Sequence, residues 1–264
     1  MTQSRKTLVL FLGIAALLAG FYVTLDKLKI TLEMQLADRF VQAVDQLGKE
    51  NLELRLGGIY GLERIARRSE KFYWPVMDIL ATYVREHAPW KAPLALQAEQ
   101  TPPKPAVDLQ AALTALGRRM RTYNNGESQR LDLRNLDLRR ANLSSAHLEG
   151  AILSGTHLEE ANLQNIHLEE AILRAAHLQR ANLSGAFMQK AFLAGVRLDG
   201  AILREAHLEE AFVSGARLDS ADLLGTNFSD AFGLTWDQIK TAKRDNRTRL
   251  PDDLKAQRPA TAPP

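Results

Sequence analysis

The chain has 264 residues, with 34 basic and 31 acidic side chains and a formal net charge of +3. This length allows about two soluble units and a tether, and the near balance of charge does not suggest a general nucleic-acid binder. Because the sequence contains no cysteine, it excludes disulfide scaffolds, thiolate zinc sites and cysteine nucleophiles.

The first predicted element is an apolar helix from Thr7 to Leu25, a stretch without a charged side chain. Nineteen helical residues span roughly 28 Å, which is close to the ~30 Å of a bilayer's hydrocarbon core. A cleavable signal peptide is the alternative, but its apolar region would be about 7–15 residues long and end in small residues. Here the run is longer and ends near the bulky Phe21 and Tyr22. We expect residues 1–29 to form a tail and a single-pass transmembrane anchor, with basic residues on both sides leaving its orientation open.

Residues 30–87 are predicted to form a small helical module of three short helices. Apolar positions recur at helical spacing in three runs: Phe40, Val41, Val44 and Leu47; Ile59, Leu62, Ile65 and Ala66; and Val76, Ile79, Leu80, Tyr83 and Val84. Gly48 is a plausible end for the first helix. Pro75 fits the first turn of the third, where its missing N–H matters little.

A proline-rich segment, residues 88–107, separates this module from the rest of the chain and indicates an extended linker. The next segment, residues 108–130, is predicted to contain a capping helix that starts with Asp108 as its N-cap and ends near Gly117. A helix in this place would cover the open strand edge of a stacked solenoid.

The strongest pattern is a five-residue period from Leu131 to Asp230, which makes twenty consecutive pentapeptides. A small or apolar residue, most often alanine, lies two positions before each central apolar residue. The central residues are Leu133, Leu138, Leu143, Leu148, Leu153, Leu158, Leu163, Leu168, Leu173, Leu178, Leu183, Met188, Leu193, Leu198, Leu203, Leu208, Val213, Leu218, Leu223 and Phe228.

A helix would scatter residues with this period over all its faces, and a flat strand would turn every second one outward. A square coil with one pentapeptide on each side directs both apolar positions inward. Five such coils, stacked at about 4.8 Å, would be roughly 24 Å tall. Residues twenty apart would then be vertical neighbours on one face.

The block ANLSSAHLEGAILSGTHLEEANLQNIHLEEA resembles the pentapeptide-repeat family, whose consensus is A-(N/D)-L-x-x. The resemblance implies a mainly β fold, a right-handed quadrilateral β-helix over residues 131–232. Residues 233–254 resemble the C-terminal cap of such proteins, which leaves 255–264 as a disordered tail. The segment LELRLGGIYGLERIARRS resembles the helical module of bacterial membrane-linked members. That likeness implies the bacterial inner membrane, with the soluble part in the cytoplasm.

The predicted stacking places an apolar column on one outer face, where the family usually has polar residues. Its members are Ile152, Ile172, Phe192, Phe212 and Phe232, and we call them the apolar column. Exposed apolar surface of this kind marks an interaction site, so this face is the candidate binding surface for an unknown protein or for a second copy. The alternative is that the protein's own helices or cap cover it.

The other three faces are polar. One carries His147, His167 and His207 beside Glu149, Glu169 and Glu209, a weak candidate site that could hold a divalent metal. Phe187 interrupts the column, so a solvated surface is the favoured interpretation and no metal is assigned. The second polar face carries a ladder of Asn142, Asn162 and Asn182. The third carries His157, His177, Arg197 and Arg217 beside acidic residues, which we expect to form exposed ion pairs.

These features favour a membrane-anchored, non-enzymatic interaction scaffold, with no catalytic residue, cofactor, nucleic acid or small-molecule substrate. No phosphate-binding loop, nucleophile elbow or HExxH motif is present. The alternative comes from the family resemblance, because some members mimic DNA and protect DNA gyrase from inhibitors. That function needs a strongly acidic surface, whereas residues 131–230 carry 14 acidic and 9 basic side chains, a net charge of −5.

Overall fold

The structure is a computed structural model that describes residues 3–91, 102–123, 125–127 and 129–257. The side chains of residues 3–16, 18, 19 and 123 lie outside this description. The chain divides into two units, Met1–Ile65 and Ala66–Pro264.

The first unit is helical. Helix α1 runs without a break from Gln3 to Leu47, so the expected anchor and the first helix of the module are one element. Helix α2, Leu52–Arg68, begins after Asn51, whose side-chain oxygen accepts hydrogen bonds from the backbone N–H groups of Glu53 and Leu54. The two helices approach closely at Gly58, where a Cβ would lie 2.6 Å from the carbonyl oxygen of Ala43.

The predicted transmembrane segment, Thr7–Leu25, lies within α1. Among the described residues, no helix has both the length and the apolar character that crossing a membrane requires. The transmembrane part of the expected fold therefore has no support in this part of the chain. The side chains at residues 7–16, 18 and 19 of the predicted segment lie outside the described part.

In the second unit, helix α3, Glu70–His87, packs against helix α4, Val107–Gly117. Pro75 is the sixth residue of α3, so its predicted place in the first turn is wrong. The predicted N-cap role of Asp108 is also wrong, because Ala106 occupies that position. The carboxylate of Asp108 is instead buried and accepts a hydrogen bond from the Tyr83 hydroxyl at 2.7 Å.

Residues 131–232 form the right-handed β-helix that the five-residue period predicts. Successive coils are joined by parallel bridges between residues twenty apart, from Asp132 and Ile152 at one end to Phe212 and Phe232 at the other. All twenty central apolar side chains are buried, and Phe228, the largest of them, is fully enclosed. A single coil could not bury these side chains, so the coils stabilise one another.

Each pentapeptide ends in a left-handed residue that turns the chain through one corner. Every fifth residue from 135 to 230 has a positive φ, and glycine occupies this position at seven corners. The other thirteen corners hold non-glycine residues such as Ala175, with a φ of 54°. This conformation strains an L-residue by about 1–2 kcal/mol.

The strand edge of the first coil is covered on all four sides. The carbonyl of Asp132 accepts a hydrogen bond from Arg85, and Ala88 and Trp90 pair with Asp137 and Asn135. The Gln110 side chain makes both backbone hydrogen bonds of Asn142, and the Gly117 carbonyl accepts from the N–H of His147. These contacts satisfy groups that would otherwise form an open edge.

The start of the segment predicted as an extended linker, residues 88–107, contacts the β-helix. Residues 88–90 are part of the covering of the first coil, with Pro89 bridged to Leu136. Residues 92–101 of the linker lie outside the described part of the chain. A short parallel pair, β1 (Thr122–Tyr123) and β2 (Gly126–Glu127), follows α4.

The C-terminal edge is covered by the end of the chain. After the short helix α5, Trp236–Ile239, the chain continues the coil, with Lys243 bridged to Asp222 and Arg249 to Asn227. The final helix, α6, spans Asp252–Ala256. Helix α6 includes Lys255 and Ala256, the first two residues of the expected disordered tail. Residues 258–264 of that tail lie outside the described part of the chain.

Candidate interaction surface

The apolar column lies on one outer face of the β-helix. The Phe192 and Phe212 rings have centroids 4.9 Å apart and an interplanar angle of 3°, and Phe212 and Phe232 are also 4.9 Å apart. The three rings are 38%, 38% and 52% exposed, so no described element covers this end of the column. Stacking buries the ring faces and leaves the ring edges at the surface.

Most residues beside the column are small. Ser154, Gly155, Ala175, Ala194, Gly195, Ser214 and Gly215 occupy the corners that follow its members, and Arg174, after Ile172, is the exposed charged side chain among them. The corners beside Phe192 and Phe212 hold only small uncharged side chains, which are too short to shield the two rings. The result is a flat apolar strip that a second surface could approach closely.

The face with His147, His167 and His207 has a regular hydrogen-bond pattern. The Nδ1 atoms of these imidazoles lie 2.9, 3.1 and 3.2 Å from Oε1 of Glu149, Glu169 and Glu209, respectively. Phe187 stacks between His167 and His207 in the same column, with centroid distances of 4.6 and 5.2 Å. Only His147 and His167 are adjacent, and together with Glu149 they form one group that could hold a metal ion.

The face with His157 and His177 is less open than the sequence indicates. His157 is buried, because the indole ring of Trp90 stacks on it at 3.3 Å between centroids and 8° between planes. On its other side His157 stacks on His177 at 4.1 Å. Sequence reasoning missed this contact, since Trp90 lies far from His157 in the chain and belongs to the segment predicted as a linker.

The asparagine face is held together locally. Asn162 donates a hydrogen bond to the side-chain oxygen of Asn142 at 3.2 Å, which gives one rung of the expected ladder. The oxygens of Asn142 and Asn182 also accept hydrogen bonds from the hydroxyls of Ser144 and Ser184. These serine hydroxyls are therefore donors to amides and are not paired with a general base.

A buried polar network lies where α3 meets the first coil. Arg119 and Glu127 form an ion pair of 3.0 Å with side chains that are 0% and 1% exposed. The Tyr73 hydroxyl lies 3.1 Å from Glu127, and burial together with the Glu127 charge raises the pKa of Tyr73. Arg119 also donates to the carbonyls of His147 and Glu149. This network fixes α3 to the repeat, and no local pattern in the sequence indicates it.

The repeat matches a known family model. A model described as pentapeptide repeats recognises eight copies, in overlapping matches that together run from residue 129 to residue 232. Residues 129–232 are a repeat region of the pentapeptide-repeat family. No curated protein matches its sequence.

The structures of several solved proteins are similar to part of this chain. One from the thylakoid lumen of Arabidopsis thaliana is 26% identical, with coverage of 33% of this chain and 65% of that one and a TM-score of 0.30. HetL from Nostoc sp. strain PCC 7120, involved in heterocyst differentiation regulation, is 27% identical, with coverage of 41% and 61% and a TM-score of 0.17. QnrB1, a plasmid-mediated fluoroquinolone resistance protein, is 19% identical, with coverage of 41% and 67% and a TM-score of 0.22.

The matched region spans less than two thirds of the first two of these chains. Scores this low support no functional inference. The function of this protein is therefore inferred from the residues on its own surface.

One cleft lies beside the first coil of this pentapeptide-repeat protein. Its volume is about 720 Å³, and Arg67, Arg118, Met120, His147 and Glu149 are among the residues that line it. The cleft is open to solvent and lies against the outer surface of the first coil, while the interior of the repeat is filled by leucine and alanine. It does not contact the apolar column, which begins on a different face.

Proposed function

We propose that this protein is a non-enzymatic interaction scaffold and that the apolar column is its binding surface. The observation that carries the proposal is the exposure of Phe192, Phe212 and Phe232 at 38%, 38% and 52% on one flat face. A monomer gains nothing by leaving three stacked aromatic rings in water, because burial of such rings is strongly favourable. A second surface laid on this strip would remove the ring edges from water.

The charged faces favour a scaffold over a DNA mimic. Several carboxylates of the repeat are matched by neighbouring guanidinium groups, as in the pair of Asp199 with Arg217 at 2.9 Å and the pair of Asp222 with Arg204 at 2.8 Å. Such pairing neutralises part of the acidic surface that duplex mimicry requires. The net charge of −5 over the repeat points the same way.

The N-terminal helix is proposed as the membrane tether. Support comes from the uncharged sequence of Thr7–Leu25 and from the exposure of Leu17, Phe21 and Tyr22 on α1, at 76%, 63% and 70%. In this proposal the anchor crosses the bacterial inner membrane once and the soluble part faces the cytoplasm. Alkaline extraction of membranes tests it, with a Leu17→Lys/Phe21→Lys variant expected in the soluble fraction. A Leu32→Lys variant, outside the apolar run, is the control that should stay in the pellet, and a wild-type chain released by alkali would contradict the tether.

Extraction in mild detergent followed by affinity recovery tests the scaffold. Full-length protein with Phe192→Glu and Phe212→Glu should fold but lose its bound partner or its self-association, which sedimentation measures on the same sample. Ile202→Glu is the matched control, because Ile202 is 37% exposed and belongs to a different column. Binding that survives the double substitution would exclude the apolar column, and stoichiometric recovery of DNA gyrase would favour mimicry instead.

A further inference from the structure

Three metal-ligating side chains meet on the face that carries His157. The ligand atoms of His157, Glu159 and His177 all lie within 4.8 Å of one another. His157 Nδ1 is 2.9 Å from Oε1 of Glu159, and His177 Nδ1 is 3.6 Å from the same oxygen. In a tetrahedral site with bonds of about 2.0–2.1 Å, ligand atoms are separated by roughly 3.4 Å. The two distances from the imidazole nitrogens to Glu159 Oε1, 2.9 and 3.6 Å, lie below and above that separation.

The cluster is also enclosed and has unused ligand capacity. The side chains of His157, Glu159 and His177 are 9%, 22% and 27% exposed. The second carboxylate oxygen of Glu159, Oε2, is buried and accepts no hydrogen bond from the described residues, a feature that it shares with Glu149, Glu169 and Glu209. A buried carboxylate oxygen without a donor is costly unless a ligand satisfies it.

The surrounding charges permit a cation at this place. The nearby guanidinium of Arg139 is paired with both oxygens of Asp137, at 2.8 and 2.7 Å. Arg197, next in the column after His177, has its Nε 3.8 Å from Oδ2 of Asp199, whose Oδ1 is paired with Arg217 at 2.9 Å, so Arg197 is the less fully neutralised of the two nearby arginines.

We propose that His157, Glu159 and His177 form a binding site for a divalent transition metal of the Zn²⁺ class. Two imidazole nitrogens and one carboxylate oxygen are a ligand set typical of zinc. Three protein ligands leave one coordination position for water or for a group from another molecule. Trp90, stacked on His157, closes one side of the site and holds that imidazole in place.

The other histidine clusters are poorer candidates. The ring centroids of His147 and His167 are 4.7 Å apart, and their side chains are 45% and 30% exposed, so these rings are farther apart and more exposed to solvent than those of His157 and His177. His207 has the same contact with Glu209, at 3.2 Å, but its neighbours in the column are Phe187 and Asn227. It therefore lacks a second imidazole and supplies a matched control.

Calorimetric titration of the chelator-treated full-length protein with Zn²⁺ tests the site. We expect His177→Ala and the nearly isosteric Glu159→Gln each to weaken binding by about tenfold or more, while His207→Ala leaves it unchanged. Thermal unfolding of each variant without metal shows whether the fold is retained. Equal Zn²⁺ affinity in the wild type and in both site variants would overturn the proposal, as would an absence of binding by the wild type.

Tryptophan fluorescence gives a second, local readout. Cu²⁺ held by His157 should quench Trp90, so a Trp90→Phe variant should lose the quenched component and His177→Ala should abolish the quenching. Quenching that is the same in the wild type and in His177→Ala would mean that Cu²⁺ binds elsewhere, and the proposed site would be wrong.

Discussion

Phe192 and Phe212 are twenty residues apart in the chain and lie face to face, with ring centroids 4.9 Å apart and planes 3° from parallel. The parallel bridge between their backbones fixes this contact. The square coil thus converts a repeat of twenty residues into a direct aromatic contact. The same relation produces the whole apolar column.

The first prediction concerns the energy of this contact. A double-mutant cycle with Phe192→Ala and Phe212→Ala should give a coupling energy of about 0.5–1.5 kcal/mol in chemical unfolding, because the two rings stack. Phe212→Ala combined with Ile202→Ala should be additive, since these residues belong to different columns. Additivity of the phenylalanine pair would show that the rings are not in contact.

The second prediction concerns the buried network of Tyr73, Arg119 and Glu127. Glu127→Ala should lower the free energy of unfolding by about 3–5 kcal/mol, because it leaves the buried Arg119 without a counter-charge. Glu70→Ala is the control, since Glu70 is 80% exposed in its ion pair with Arg121 and the loss should be at most about 1 kcal/mol. Similar effects of the two substitutions in urea unfolding would refute a buried network.

The third prediction uses the corners of the coil. Ala175 adopts a left-handed conformation with an exposed side chain, so Ala175→Gly should stabilise the protein by about 0.5–1 kcal/mol. Gly185→Ala should destabilise it by more than about 1 kcal/mol, because the corner has a φ of 66° and the new Cβ would collide with the side-chain oxygen of Asn165. Effects of the opposite sign in thermal unfolding would contradict the corner geometry.

The fourth prediction is a pH dependence from the C-terminal cap. Hydrogen bonds from the Gly225 backbone, Arg247 and Thr248 lower the pKa of Asp245 from 3.8 to about 2. A lowered folded-state pKa adds stability that is complete above the unfolded value of 3.8 and disappears as the pH falls through about 2. Asp245→Asn should therefore be less stable than the wild type at pH 6, and the difference should shrink toward pH 2.

Urea unfolding at a series of pH values measures this difference, with Asp230→Asn as the control. A gap between wild type and Asp245→Asn that stays constant from pH 6 to pH 2 would rule out the assigned role. A gap of equal size and slope for the control would do the same.

The sequence predicted the repeat well because its period acts locally. Each coil repeats the same two inward positions, so Leu133 and Phe228 could be placed inside without knowledge of any distant contact. The columns followed from the same spacing. The role of the apolar column as a binding surface remains a prediction, since its occupant does not follow from stacking.

The errors arose where distant segments meet. Asp108 has the composition of an N-cap, but the Tyr83 hydroxyl draws its carboxylate into the interface between α3 and α4. Trp90 lies in a proline-rich segment and yet covers His157. No repeat or regular spacing in the sequence relates Arg119 and Glu127 to Tyr73. The sequence therefore could not predict the network that these three residues form.

Site-specific photo-crosslinking tests the central claim most directly. A benzophenone side chain placed at position 212 of the full-length protein should crosslink to a second molecule, either another copy or a different protein. The same group at position 202, which is equally exposed on another face, should give little product. Crosslinking that is equal at both positions, or confined to position 202, would contradict the assignment of the apolar column as the binding surface.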